Sequence, residues 1–418
     1  MKALVLAGGY PQIALIKELK SRNIYVILAD YNEEPVAKKY ADKFYQESTL
    51  NIDGIKKIAK KENVDYLITV CTDQALHTVA KVSEDLGLPC YIDYQTALNV
   101  TNKQYMKKVF SENDIPTSKY IVSGKYDETL SNGMKYPLIV KPVDCNSSKG
   151  VRKCMNETEL HKYFDEAVQF SRTKTAVVEE YIEGTEVSVD VYIEDGVAKI
   201  LCISNSDKIA DNDKFVICRA IYPAAISEKI IAQIKETAQK IANAFNIKNS
   251  PMLIQFLTDG NNAYVIEFSA RTGGGVKYLL IKHVSGFDVI KSVVNLTLGE
   301  KNKCIVQTPE AKYIVNEFIY CKPGVFHHLE GFKELKEQEV IADYYLFKWS
   351  GAEFDGIGAS GDRVAGYTIM ADTIEEIQEK AIAANNTFRV ISNNNVDMAR
   401  HDLIRSIIYK NGFIYSEK

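Results

Sequence analysis

The stretch Met252-Leu-Ile-Gln-Phe-Leu-Thr-Asp-Gly-Asn-Asn-Ala-Tyr-Val-Ile-Glu-Phe-Ser-Ala-Arg271 decides how this 418-residue chain is read. Two apolar runs flank Asp259-Gly260-Asn261-Asn262, and Gly and Asn tolerate the positive φ of a hairpin turn. With the turn centred near Asn261, Gln255 and Glu267 are equally distant from it and face each other across the ladder. Strand alternation then places Val265, Glu267, Ser269 and Arg271 on one face. An amide, a carboxylate and a hydroxyl in one patch, with a cation just beyond, suit Mg²⁺ held between hard oxygens and a phosphate. The same pattern also describes an amphipathic hairpin with a solvated polar face.

Upstream, Tyr136-Pro-Leu-Ile-Val-Lys-Pro142 reads as a buried strand delivering Lys141 at its end. It leads into Asp144-Cys-Asn-Ser-Ser-Lys-Gly150, whose small residues let backbone N–H groups approach phosphate oxygens while Ser147, Ser148 and Lys149 add donors and charge. The next segment, Ala176-Val-Val-Glu-Glu-Tyr-Ile-Glu-Gly-Thr-Glu186, is a strand running into a loop with a carboxylate two residues past Gly184. It can offer main-chain groups to an adenine edge and a carboxylate to ribose hydroxyls. An ordinary acidic strand end has the same appearance.

The order of these elements is more specific than any one of them. Lys103 opening a helix, Lys141 with its small-residue loop, Glu179-x-Tyr-Ile-x-Gly-x-Glu186, then Gln255 with Glu267-x-Ser-x-Arg271 together resemble the ATP-grasp superfamily, over nearly all of the chain. Phe268-Ser-Ala-Arg-Thr-Gly-Gly-Gly275 and Ser360-Gly-Asp-Arg-Val-Ala-Gly366 favour its carboxylate–amine ligase branch. The resemblance implies that Lys103 and Lys141 bind phosphate and that Ser147, Ser148, Lys149 and Gly150 form the tip of a lid over the triphosphate. It places Glu179, Tyr181 and Ile182 at the adenine hinge, Glu186 on the ribose, and Gln255, Glu267 and Ser269 as metal ligands. Arg271 would hold the phosphate in transfer. ATP and Mg²⁺ are the implied cofactors, with Mn²⁺ as an alternative ion.

Two positions depart from the commonest pattern of the superfamily, which has Glu where this chain has Gln255 and Asn where it has Ser269. Gln also occurs at the first position in ATP-binding halves that resemble carbamoyl phosphate synthetase, and can ligate Mg²⁺ through its carbonyl. The triphosphate carries much of the charge in such sites, so the missing carboxylate should weaken a second metal more than the first. A nucleotide-binding protein with little activity and a phosphotransferase acting on a small acceptor are the alternatives.

The chemistry implied is carbon–nitrogen bond formation. A carboxylate is a poor electrophile because its leaving group would be oxide, and phosphorylation supplies a better one. Lys141, Lys149, Arg271 and Mg²⁺ would position and neutralise the phosphoryl group, with Arg271 and Lys149 as catalytic residues. The acid itself can be met by the free amides of Gly273, Gly274 and Gly275, with Arg219 or Lys277 as cations. A glycine turn that merely ends the hairpin is the other reading. Partners are then a small carboxylate and an amine, with a homodimer as the candidate assembly.

Length and patterning predict an α/β and α+β multidomain chain, and the resemblance implies that its fold is the ATP-grasp fold. Residues 1–115 read as an N-terminal Rossmann-like pre-ATP-grasp domain, 116–183 as a lid, 184–309 as the central catalytic part and 310–418 as a C-terminal α+β domain. Ala3 to Ala7, a helix from Gln12 to Ser21 and Tyr25 to Ala29 form a βαβ unit, and Thr72-Asp73 reads as the cap of a helix ending at Leu86. Gly8-Gly9 and Asp30 invite a dinucleotide-binding alternative, although its third glycine is missing. Ser204 to Asp213 is polar and turn-rich, either a mobile loop over the site or a plain surface loop.

A net charge of −4 and a pI near 6.0 argue against nucleic acid or an anionic membrane as partner. Lys56, Lys57, Lys60 and Lys61 fit the wet side of a helix. The eight cysteines lack C-x-x-C or zinc spacing, the natural pattern of reduced thiols in a cytoplasmic protein, and the six histidines do not cluster. No apolar run reaches membrane-spanning length.

Overall fold

A computed structural model describes residues 1–145, 149–209 and 215–417. Strands Lys2–Leu6, Tyr25–Asp30, Lys43–Gln46 and Tyr66–Ile68 form a wholly parallel sheet. Val5, Leu28 and Ile68 face one core, while Leu4, Ile27 and Leu67 face another. That double burial is why these strands are continuous apolar runs without alternation. The predicted helix over 12–21 begins slightly earlier, at Tyr10, because Pro11 fits a first turn. The helix Asp73–Leu86 follows the last strand, but Thr72 makes no side-chain cap bond and the Asp73 carboxylate is turned away to other partners.

The helix Lys103–Glu112 starts where predicted, with the Asn102 side chain accepting from the Gln104 and Tyr105 amides. After it the chain crosses to a four-stranded antiparallel sheet ordered Tyr120–Ser123, Ala176–Glu180, Leu138–Pro142, Arg152–Cys154. The helix Glu157–Phe170 covers one face of this small sheet through Leu160, Phe164 and Ala167.

The largest element is an eight-stranded antiparallel sheet. Its edge is the hairpin Ser250–Thr258 and Ala263–Ser269, followed by Thr185–Glu194, Val197–Lys208 and Ile217–Tyr222. It runs on through Tyr313–Ile319, Ala365–Ala371 and Asp343–Leu346, so the strands past residue 310 extend the central sheet. All seven residues of Tyr313–Ile319 are buried, as a strand covered on both faces requires. One face of the sheet packs on the helix Glu228–Ala244, which Ser227 caps. The other packs on Lys277–Ser285 and Val289–Thr297, which join it to the parallel sheet. Smaller strands, including the terminal hairpin Ile407–Lys410 and Phe413–Ser416, complete the C-terminal region.

The polar stretch expected as a loop over 204–213 behaves differently in its first half. Residues 204–208 belong to the long strand Val197–Lys208, paired on both sides. Polar residues tolerate a central strand here because the Ser204 hydroxyl accepts from Lys277 and the Asn205 side-chain oxygen accepts from the Ala225 amide. Residues 210–214 lie outside the described residues. All eight cysteines are free thiols, and among the described residues no helix is long and apolar enough to cross a membrane.

Candidate active site

The hairpin places Gln255 opposite Glu267, as the sequence predicts, but with the help of a β-bulge. The turn is tightened by Asp259, whose side chain accepts from the Asn261 and Asn262 amides, and by Gly260 at φ +90°. It pairs Thr258 with Ala263 and Phe256 with Val265, a register that alone would set Gln255 against Ile266. Ile266 is the extra residue, and the shift brings Glu267 into line. The bulge also flips the face: Val265 points into the core with Phe268 and Ala270, not alongside Glu267 as simple alternation predicts.

Between this hairpin and the small sheet lies a cavity of about 250 Å³. Ile139, Val151 and Ile182 line one wall and Leu257, Ile217 and Ile266 the other. Its polar residues include Lys103, Lys141, Glu179, Glu186, Gln255 and Glu267, six of the residues singled out from sequence. A second, smaller cavity shares Lys103, Gln255 and Glu267 with the first and continues to Asp73, Ser269 and Arg271. The Gln255/Glu267 pair therefore stands at the junction of an apolar-walled chamber and a charged one.

The charges at this junction are tightly paired. The Lys103 ammonium sits 3.0 Å from Glu267 and 2.8 Å from the Cys145 carbonyl. Burial works against that ammonium, but Glu267 outweighs it and raises the Lys103 pKa. Lys141 pairs with Glu179. Glu186 accepts from the Gln255 amide at 3.0 Å and from Lys208 at 2.7 Å. A carboxylate keeps further acceptor sites after two such bonds, so Glu186 can still receive ribose hydroxyls. Gln255 commits its amide nitrogen and keeps its carbonyl oxygen for a hard cation.

Several expected roles fall to different surroundings. Arg271, read as free for phosphate, is clamped by Asp73 through Nε at 2.7 Å and through Nη2, and Nη1 binds the Thr272 carbonyl. The Ser269 hydroxyl, expected as a metal ligand, donates a hydrogen bond to the same Asp73 and so braces that carboxylate. Burial alone would raise the Asp73 pKa, but Arg271 and Ser269 pull it below the usual carboxylate value. Arg219 lines neither cavity: it is buried, with Nε 2.6 Å from Glu317 and its other nitrogens on Ser416 and the Arg405 carbonyl. It pins the terminal hairpin to the central sheet and does not serve an acid.

Lys277 donates to Ser204 at 2.5 Å and lies 3.4 Å from Asp190, so its charge is spent inside the protein. Gly273 is required by that packing, because a Cβ there would come within 2.9 Å of the Lys277 side chain. Gly275 has φ +66°, with the Phe318 ring and an Arg363 nitrogen beside it, while Gly274 lies near the Cys71 carbonyl. Lys149 is exposed, its ammonium 5.3 Å from the Phe170 ring centroid, and it does not line the cavity. Gly150, at φ +74°, has no room for a side chain against Phe170 and Pro142. Ser147 and Ser148 lie outside the described residues.

At the expected hinge, the Glu180 and Tyr181 amides are already bonded to the Lys119 and Pro137 carbonyls. Tyr181 contributes its ring, over which the Lys153 ammonium sits at 4.1 Å. The Glu179 side chain is a charge partner of Lys107 on the helix and of Lys141 on the neighbouring strand, so of this residue only the main chain is left for the expected hinge. Asp30, the candidate of the dinucleotide alternative, braces its own loop by accepting from the Gly8 amide at 2.6 Å and the Asn32 amide at 2.8 Å. Pro35 fills the space over Gly8, where a phosphate would have to approach.

Three residues to which the sequence assigned no role stand in or around the site. Asp73 stands just past the end of a parallel strand, where open α/β sheets gather ligands, and that placement was its available signal. Arg363, within the quoted Ser360–Gly366 stretch, stacks 3.8 Å over the Phe318 ring and donates to the Tyr320 hydroxyl and the Ile217 carbonyl. Lys107, one helical turn past Lys103, binds Glu179 at 2.6 Å.

Comparison with known proteins matches residues 134–278 to the family described as the ATP-grasp domain. Over these residues the chain is similar to an ATP-grasp domain. The match begins before the strand bearing Lys141 and ends just after Lys277, so it spans both walls of the larger cavity. The chain is 25% identical over 295 residues to the carbamoyl phosphate synthase large chain of Clostridium acetobutylicum, covering 68% of this chain but only 27% of that relative. It is 26% identical over 328 residues to the formate-dependent phosphoribosylglycinamide formyltransferase of Sulfurisphaera tokodaii, covering 75% and 80% of the two chains. Among solved structures it resembles an L-amino acid ligase from Bacillus licheniformis, with TM-score 0.78, 18% identity and coverage of 94% and 99%. The ATP-grasp fold thus extends well beyond the matched domain.

Proposed function

We propose that the protein is an ATP- and Mg²⁺-dependent carboxylate–amine ligase that activates a small acid as an acyl-phosphate and releases ADP and phosphate. The observation that carries this reading is the Gln255/Glu267 pair at the junction of the two cavities, flanked by Lys103 on one side and the Asp73/Arg271 clamp on the other. Relatives with this domain include enzymes named as ligase, synthase and formyltransferase. A purine base fits between the aliphatic walls, with Ile182 rather than Tyr181 left to offer its amide. Polyphosphate would then extend toward Lys141 and Lys103.

Hard oxygens at Gln255 and Glu267 suit Mg²⁺. No group of three His, Cys, Asp or Glu residues able to hold a metal occurs among the described residues, so the remaining ligands would have to be nucleotide oxygens, as in many Mg²⁺ sites. Bound there, the ion would neutralise charge on the phosphates. The protein's own contribution is positioning. Lys103 and Lys141 hold the nucleotide, and Arg271 aims its guanidinium at the transferring group. Asp73 fixes the plane of that guanidinium through two contacts. The acid would lie beside Arg271 in the smaller cavity, with the amine entering opposite the departing phosphate.

The test is product analysis with pairs of amino acids and small acids. We predict ADP and phosphate, in amounts that depend on the amine. AMP with pyrophosphate would overturn the acyl-phosphate route in favour of adenylation, and amine-independent phosphate transfer would favour a phosphotransferase.

A further prediction concerns Lys141→Met, which keeps the apolar stem and deletes the charge. Losing one charged contact of roughly 1.5–3 kcal/mol should weaken ATP binding about tenfold or more. Thermal stability should change little, because Lys107 still compensates Glu179. Calorimetric titration beside thermal melts would show the split. A large stability loss with normal ATP affinity would make Lys141 structural.

A further inference from the structure

Lys107 and Lys103 lie four residues apart on the helix Lys103–Glu112, so their side chains leave the same face. Lys103 reaches Glu267 on the hairpin, while Lys107 reaches Glu179 on the small sheet. Glu179 is shared: one carboxylate oxygen meets Lys141 and the other lies 2.6 Å from Lys107. All three groups are at most 5% exposed. The two lysines differ in what they face, since Lys141 lines the larger cavity and Lys107 does not.

Lys107 also donates to the Thr117 hydroxyl at 2.5 Å and the Ser118 hydroxyl at 3.1 Å. With Glu179, these use all three hydrogens of an ammonium, so nothing remains for a ligand. Thr117 in turn donates to the Val265 carbonyl, and the Val265 amide donates to Pro116. Lys107 is thus anchored where the helix, the hairpin and the small sheet meet. Burial lowers its pKa to about 8, with Glu179 opposing the shift, so the carboxylate helps keep it charged.

Two ammonium groups around one carboxylate leave one positive charge in surplus. We infer that Lys107 is a positioning residue that holds the Glu179 carboxylate so that Lys141 is free to leave it for the polyphosphate of a bound nucleotide. The inference rests on the nucleotide reading of the larger cavity. Without Lys107, moving Lys141 onto phosphate would strand a buried carboxylate with no counter-charge, a costly arrangement. Lys141 would then stay on Glu179 and compete against ATP. With Lys107 present, the Lys107/Glu179 pair is neutral by itself, and Lys141 can turn without leaving a buried charge behind.

The experiment is calorimetric titration of the full chain with ATP and Mg²⁺, without acid or amine, beside thermal melts. Lys107→Met should weaken ATP binding about tenfold or more, while Lys107→Arg should stay within about threefold, as expected for loss or retention of one buried charge. The double variant Lys107→Met/Glu179→Gln should recover to within about threefold of the wild type, because no carboxylate then competes for Lys141. That recovery separates the proposed role from simple damage to the fold, which a second substitution would not repair. Should Lys107→Met fail to fold, Lys107→Gln carries the test in its place: it too should weaken ATP binding about tenfold or more, and wild-type affinity in it would overturn the inference. Wild-type affinity in Lys107→Met, or a double variant as weak as the single one, would overturn the inference alone. A wild-type protein that binds no ATP would overturn it together with the nucleotide reading.

Discussion

Glu267→Gln is expected to lower ATP turnover by roughly 10²–10³-fold, the scale of one lost charge-stabilising group in an active site. Glu267 is the carboxylate of the hairpin pair, and it faces both cavities. Gln keeps the shape and an acceptor for Lys103 at 3.0 Å, so the fold should survive with a modest loss of stability. What disappears is the negative charge that would hold Mg²⁺ against the phosphates. Phosphate release measured across a Mg²⁺ titration should show both a lower maximum and a higher Mg²⁺ requirement. Turnover retained at an unchanged Mg²⁺ dependence would show that the hairpin does not hold the ion.

Arg271→Lys should cost turnover roughly a hundredfold or more, with ATP affinity little altered. A guanidinium has five N–H donors; Arg271 commits three of them, to the two Asp73 oxygens and the Thr272 carbonyl, and so keeps two. Those two are held in a fixed plane by the Asp73 fork, the preorganisation that a phosphate in transit requires. Lysine keeps the charge but cannot clasp Asp73 at two points and still present two donors. Asp73→Asn should reproduce part of the loss, because the plane is no longer fixed although Arg271 remains. If instead ATP affinity collapsed while the maximal rate survived, Arg271 would be an anchor for bound ATP and not the group that acts in transfer.

Some of this site is legible in the sequence alone. The hairpin was plain because turn residues and apolar alternation are local signals, and the parallel N-terminal strands because continuous apolar runs mark burial on both faces. Lys103, Lys141, Glu186, Gln255 and Glu267 do line one cavity: Lys103, Lys141 and Glu186 sit at or next to the end of an element, and Gln255 and Glu267 face each other within the hairpin. The errors share a cause. Arg219 and Lys277 looked available as cations because a sequence shows a charge but not its partner. Glu317 and Asp190, which claim them, come from strands remote in the chain.

Local chemistry thus determined which elements form and which face of each strand is polar, because propensity, turn residues and periodicity act over a few positions. Only the tertiary structure decided how those faces are used. The bulge at Ile266 sets the register of Glu267 and sends Val265 to the core. The approach of the first parallel sheet delivers Asp73, 198 residues before Arg271, to clamp it. The crossing at Pro116–Thr117 brings Lys107 under Glu179. A buried charge must find its counter-charge wherever the fold supplies one, and that pairing depends on packing between distant segments.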